Sequence, residues 1–248
     1  MKPAAKPAAK LAAKLAAKPA AKLARPPTGL SHDTIRTAAL RLIDQDGLAA
    51  FSTRKLGRVL GCEAMAIYWY YPSKDKLLDA VVDELVARVG IVAGGETDDW
   101  VAALRGVAHA YRRIAHDHPK AFPLLATRRF ASEGTYAFLE RLFELARAQG
   151  IDDRTSARFF RVVSSYCNGF ALNELAAPRG PQDPSTAALR RRFARVAAVS
   201  AWLEPRYLDE IFDFGLELQL AALARTTREA RAHREIAVTA RRANRSMS

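Results

Sequence analysis

The stretch FSTRKLGRVLGCEAMAIYWYYPSKDK, residues 51–76, decides how the chain is read. Ser52 is placed to cap a helix whose apolar positions Leu56, Val59 and Leu60 recur at helical spacing and face inward. Gly61 closes that helix and Gly61-Cys62 makes a tight turn, so the pattern predicts a second short helix over Glu63 to Tyr70. Pro72 ends it, because the residue before a proline resists the helical conformation. The stretch thus holds two short helices across a turn, with a cation (Arg54) at its start, aromatic hydroxyls in its middle and lysines at its end. A helix-turn-helix uses such a unit to lay its second helix in the major groove while the first crosses the phosphate backbone.

Working outward, Ser31 or Asp33 can cap a preceding helix through Ile35, Ala38, Ala39, Leu42 and Ile43, which stops at Gly47 in an expected left-handed conformation. Ser73 caps a long following helix through Leu77, Leu78, Val81, Val82, Leu85 and Val89 that ends near Gly94-Gly95. Beyond it, helical periodicity recurs over Trp100–His116, Pro123–Phe130, Thr135–Ala148, a long segment from Asp152 or Asp153 to Ala176, Ser185–Ser200 and Tyr207–Arg225. The loop PRGPQDP (178–184) interrupts the pattern. No alternating strand pattern with hairpin turns occurs, so the fold class is all-α.

The chain has 248 residues, half of them hydrophobic, enough for one sizeable core and a smaller module. Its net charge of +13 is concentrated at the ends. Residues 1–28 carry Lys2, Lys6, Lys10, Lys14, Lys18, Lys22 and Arg25 without an acid, and residues 225–248 carry seven arginines against Glu229 and Glu235. Basic ends around a nearly neutral body point to a polyanionic partner. The first segment, broken by Pro3, Pro7 and Pro19, reads as a flexible arm that contacts phosphates by counterion release, or as a solubilising tail. Cys62 and Cys167 lie far apart without zinc-ligand spacing, which fits a reduced cytoplasmic setting. No apolar run approaches a membrane span and the N-terminus lacks the apolar core of a secretory signal.

The run STRKLGRVLGCEAMAIYWYYPSKDKLLDAV resembles the tetracycline-repressor-like (TetR) family of transcriptional regulators over about residues 32–90. The shared pattern is Thr-Arg-x-Leu-Gly-x-x-Leu-Gly, then an aromatic run, then Lys-x-x-Leu. The resemblance implies an N-terminal three-helix helix-turn-helix domain (29–76), a connecting helix and linker (77–97) and a C-terminal helical ligand-binding and dimerisation domain (98–225). The basic arm (1–28) and a basic tail (226–248) flank these. It further implies that Thr53 contacts a phosphate, that Arg54 reaches a base edge and that Tyr68 and Lys74 clamp the backbone. Arginine suits the bidentate edge of guanine, and Lys74 is a point charge for phosphate. Glu63, Ala64, Met65 and Ala66 lead the reading helix, with Met65 and Ala66 suited to a thymine methyl and Glu63 to cytosine or to a cap. Two positions depart from the family: Tyr70 replaces its usual histidine and keeps a hydroxyl, and Cys62 replaces its valine. Tyr71 takes the family's aromatic core position. Trp69 completes the DNA-facing candidates, with a core wedge of packed rings between helices as the alternative account of the Tyr68–Tyr71 cluster.

The long segments 152–176 and 206–225 are apolar on more than one face and are expected to pack with their counterparts in a homodimer. A two-fold dimer sets its reading helices about 34–36 Å apart and implies a palindromic double-stranded DNA operator. Trp100, Tyr111, Phe122, Phe138, Phe143, Tyr166 and Phe170 are the candidate lining of a pocket for an apolar or aromatic effector, with Asn168 and Asn173 as polar anchors. Most such rings serve as ordinary core. His109 and His116 share a helix face and, with Asp117 and His118, raise a metal question. Histidines at a helix end also complement its dipole, and neither a metal nor a cofactor is assigned. A nucleophile elbow, a glycine-rich phosphate loop and a Cys-His pair are all missing, so no catalytic residue is assigned. Cys62 reads as a small buried hydrophobe rather than a redox sensor. The function expected is a ligand-responsive repressor. The alternative is a nucleoid-associated protein that binds DNA through its basic ends.

Overall fold

The computed structural model describes residues 29–92, 97–128, 132–176 and 186–246, with side chains described to Gly90 in the first span and to Glu229 in the last. The N-terminal arm, the Gly94-Gly95 helix end and the 178–184 loop lie outside the described residues. The described chain is helical throughout: α1 (His32–Asp46), α2 (Thr53–Leu60), α3 (Ala64–Ile67), α4 (Lys74–Val92), α5 (Trp100–Asp117), α6 (Phe122–Thr127), α7 (Glu133–Ala148), α8 (Asp153–Leu175), α9 (Ala187–Arg192), α10 (Ala194–Ser200) and α11 (Leu208–Ser246).

Local chemistry starts these helices. Ser31 and Thr34 form a reciprocal capping box on α1, the Ser31 hydroxyl accepting from the Thr34 N–H at 3.1 Å and the Thr34 hydroxyl from the Ser31 N–H at 2.8 Å. Ser52, Asp99, Ser132 and Asp152 cap α2, α5, α7 and α8, each through a side-chain oxygen that accepts from a backbone N–H of the first turn. Helix α4 is the axle of the molecule. It carries Leu77, Val81 and Leu85, all fully buried, and touches α1 on one side and α5, α6 and α7 on the others. One continuous core therefore runs from Ile35 and Ile43 in α1 through α4 to Ile114, Phe122 and Leu125. A second core knits α5, α8 and α11 through Trp100, Leu104, Val163, Cys167, Phe212 and Leu216.

Several details differ from the sequence expectation. Val59 points outward and is 60% exposed, because an eight-residue helix has room for only one inward stripe and Leu56 with Gly57 fills it. The third helix is confined to Ala64–Ile67, with Tyr68–Tyr70 forming a turn that carries the chain into Tyr71. Gly47 has positive φ (83°) with an extended ψ (159°), so it is not a left-handed cap. The expected helix Ser185–Ser200 breaks at Phe193 into α9 and α10. Tyr207 belongs to a short 3-10 turn, and α11 runs 39 residues through the stretch expected as a tail, since nothing between Arg225 and Ser246 breaks a helix.

Candidate functional site

The turn between α2 and α3 is fixed by two glycines. Gly61 adopts the left-handed conformation (φ 66°, ψ 29°). Gly57 lets α3 approach: a Cβ there would lie 2.7 Å from the Cys62 carbonyl oxygen and 3.2 Å from the Ala64 nitrogen. The helices also meet through side chains, the Thr53 and Tyr68 hydroxyls sharing a 3.2 Å hydrogen bond across the unit. On the outer surface, Arg54, Glu63, Met65 and Trp69 are exposed, Met65 at 60% and Trp69 at 46%, with Ala64 and Ala66 half-buried beside them. Glu63 stands at the start of α3 without capping it through its side chain.

Tyr70 and Tyr71 turn toward the body of the module. The Tyr70 hydroxyl donates to the Leu30 carbonyl at 2.8 Å and the Tyr71 hydroxyl to the His32 carbonyl at 2.9 Å, so both fasten the entry of α1. Tyr70's only proton is committed there, which leaves it acceptor lone pairs but no donor for a phosphate. Lys74 donates to the Phe51 carbonyl at 3.0 Å and lies 5.5 Å from the Phe51 ring centre. An ammonium has three protons, so two stay available on its exposed side. Cys62 packs against the core and burial pushes its thiol up, the opposite of a cation-activated redox sensor.

Three polar ties join this module to the helices behind it. Arg36 of α1 pairs with Glu84 of α4 at 2.9 Å. Glu84 also accepts from Arg88, which contacts His118 Nε2 at 2.9 Å, while His118 Nδ1 meets Asp44 of α1 at 2.7 Å. Arg128, after α6, grips the first two turns of α4: Asp75 Oδ1 at 2.9 Å and Asp79 Oδ1 at 2.5 Å. Burial pulls the Arg128 guanidinium down, and the bonds to Asp75 and Asp79 more than offset it, so the net shift is upward.

Behind these ties lies a cavity of about 220 Å³ among α4, α5, α7 and α8. Tyr111, Phe138 and Asn168, three of the sequence candidates, line it, and the Tyr111 hydroxyl donates to Asn168 Oδ1 at 2.9 Å. The other candidates lie elsewhere. Trp100 and Phe122 are fully buried core, Phe143 packs edge-on to Phe160, and Asn173 is exposed. Tyr166 stacks on Phe212 and Phe170 meets it edge-on, beneath the Arg112 guanidinium that lies 4.7 Å from the Phe212 ring. Arg112 also holds Glu174 at 2.5 Å, tying α5 to α8. Sequence reasoning followed the large rings and missed the polar wall formed by Ser164, Ser165, Thr135, Arg128 and Arg161. The adjacent serines inside the apolar 159–172 segment were the available signal. The three histidines separate: His116 faces Glu174, His118 joins the Asp44 tie and His109 sits 3.7 Å from Asp213.

With this geometry in hand, the likeness to known proteins is specific. The family model "Bacterial regulatory proteins, tetR family" matches residues 35–81, and "Tetracyclin repressor-like, C-terminal domain" matches residues 94–227. An HTH-type transcriptional regulator of Saccharopolyspora erythraea is 32% identical over 56% of this chain and 59% of its own length. The class D tetracycline repressor of Escherichia coli is 30% identical over 58% of this chain and 66% of its own. The matched stretch thus spans less than two thirds of each of these relatives. The crystal structure of a possible TetR family transcriptional regulator from Streptomyces coelicolor A3(2) is 27% identical, superposes with a TM-score of 0.65, and is covered completely by 79% of this chain. Among the described residues no helix is long and apolar enough to cross a membrane. One family match spans the glycine-fixed helix pair and ends within α4, the other begins ahead of α5 and spans α5 to α10, and the chain belongs to the tetR family of bacterial regulatory proteins.

Proposed function

We propose that this protein is a sequence-specific DNA-binding transcriptional repressor that works as a two-fold homodimer and leaves its operator when a small effector enters the α4–α5–α7–α8 cavity. The observation that carries this is the outer face of the α2–α3 unit. Arg54, Met65 and Trp69 are held in the open by a rigid turn and have no hydrogen-bond or ion-pair partner among the described residues. A free cation beside an exposed apolar edge fits a groove-reading role, with Arg54 and the Glu63–Ala66 edge reading bases and Thr53, Tyr68 and Lys74 positioning the backbone. Tyr70 acts from behind, through Leu30. The same helix, α4, bears the reading module at one end and lines the cavity with Val86 and Val89 at the other. An effector that favours one placement of α4 shifts the separation of the two reading heads.

The test is affinity for DNA upstream of the protein's own gene against a scrambled sequence of equal length, with and without residues 1–28. The expected result is a strong preference for the native sequence that survives removal of the arm. Equal affinity for both DNAs, lost with the arm, would overturn the repressor reading in favour of a nucleoid-associated protein acting through its basic ends.

A further inference from the structure

We infer that the effector is an amphipathic anion, an apolar or aromatic body bearing a carboxylate, and that it unlocks the reading head by taking Arg128 away from Asp75 and Asp79. This rests on the repressor reading above and names the ligand class and the switch of the same cavity. The wall of the cavity holds two cations, Arg128 and Arg161, and among its described residues no aspartate or glutamate. The rest of its lining is uncharged, apolar from Val86, Leu104, Phe138 and Phe160 and polar from Tyr111, Thr135, Ser164, Ser165 and Asn168. Such a lining leaves a neutral ligand's apolar part well served and a carboxylate's charge uniquely answered, because a guanidinium recognises it with two parallel hydrogen bonds.

Arg128 is where that recognition acquires a consequence. Its side chain is about a quarter exposed and its guanidinium bridges to carboxylates of the first two turns of α4, one of them, Asp75, 81% exposed. It also donates to the Asp75 carbonyl at 3.3 Å. These contacts hold the first turns of α4, whose first residue, Lys74, grips the Phe51 carbonyl at the entry to α2. A ligand carboxylate inside the cavity competes for the same guanidinium protons. Once Arg128 turns inward, Asp75 and Asp79 lose their partner, and the start of α4 is freed relative to α6. Ligand and latch are then mutually exclusive, so weakening either strengthens the other.

The probes are 2-naphthoate and its uncharged counterpart 2-naphthylmethanol, titrated into the full-length protein by calorimetry and into its complex with the upstream DNA by fluorescence anisotropy. Wild type is expected to bind the naphthoate at least tenfold more tightly than the alcohol and to release DNA only with the naphthoate. Arg128→Gln should abolish the preference and Arg128→Lys should keep part of it, with circular dichroism reporting that each variant is folded. Asp75→Asn/Asp79→Asn should bind the naphthoate more tightly than wild type. Damage to a merely structural contact would weaken it instead. Equal binding of acid and alcohol, no binding of either, a preference that survives Arg128→Gln, or weaker naphthoate binding in the aspartate variant overturns the proposal. If wild type shows no preference for its upstream DNA while the naphthoate selectivity holds, the repressor reading fails and the anion site stands.

Discussion

Phe214 and Leu218 are four residues apart on one face of α11, 66% and 60% exposed, and Val162 of α8 is 51% exposed. Fully burying a Phe or Leu side chain stabilises by roughly 1.5–3 kcal/mol. With about six tenths of each still open to water, a partner helix gains ~1–2 kcal/mol per side chain. A two-fold axis counts each of the two residues twice, so Phe214→Ala/Leu218→Ala is expected to remove ~4–7 kcal/mol from association, raising the dimer dissociation constant by about 10³–10⁵. Sedimentation equilibrium over a dilution series measures this directly. Helicity at 25 °C should be retained, because neither side chain contributes to the intrachain core. The operator affinity should fall with the dimer population, since a single reading head makes too few contacts to choose a site. If the double variant dissociates at the same concentration as wild type, this face is not the two-fold interface and the burial argument is wrong.

Arg54→Ala should reduce affinity for the upstream DNA by ~1–3 kcal/mol, roughly 5–150-fold, without moving the thermal midpoint, because Arg54 is exposed and has no bonded partner among the described residues. Tyr71→Phe removes the bond to the His32 carbonyl and should cost about 0.5–1.5 kcal/mol in urea unfolding while leaving DNA selectivity intact. Cys167 is 2% exposed and burial pushes its thiol up to about 12, so a thiol reagent at about pH 8 should modify Cys62 alone in the folded protein and both cysteines in denaturant. The Arg105 hydrogen bond holds Glu217 below its ordinary value of 4.5. Its stabilisation is therefore present above that pH and lost as pH falls through the lowered value, so the melting difference between wild type and Glu217→Gln should shrink in acid.

Much of the reading module was legible in the chain itself. Ser31, Ser52 and Ser73 announce helix starts, Gly61 a left-handed stop, and the spacing of Leu77, Val81 and Leu85 the buried stripe of α4, because caps and periodicity act over a few residues. Tyr71 packs in the core, as its aromatic position in the run predicts. The roles of Tyr70 and Lys74 were harder, since each finds a backbone carbonyl, Leu30 or Phe51, from a different part of the chain. Gly57 shows the same boundary: its type is visible in the sequence, and the 2.7 Å approach that demands it exists only after α3 folds back. The cavity was the least legible feature. Aromatic side chains look alike in sequence whether they wall a cavity or fill a core, and only the packing of α4, α5, α7 and α8 separates Tyr111 and Phe138 from Trp100 and Phe122.

The sequence by itself determined the all-α class, the helix-turn-helix at residues 51–76 and the concentration of charge at the two ends, since each depends on local spacing and composition. Tertiary structure alone decided which residues meet across long separations. It joined Arg128 to Asp75 and Asp79, His118 to Asp44, and Arg112 to Glu174. A charged side chain in a linear chain has many candidate partners, and packing around α4 brings within hydrogen-bond reach the few that remain.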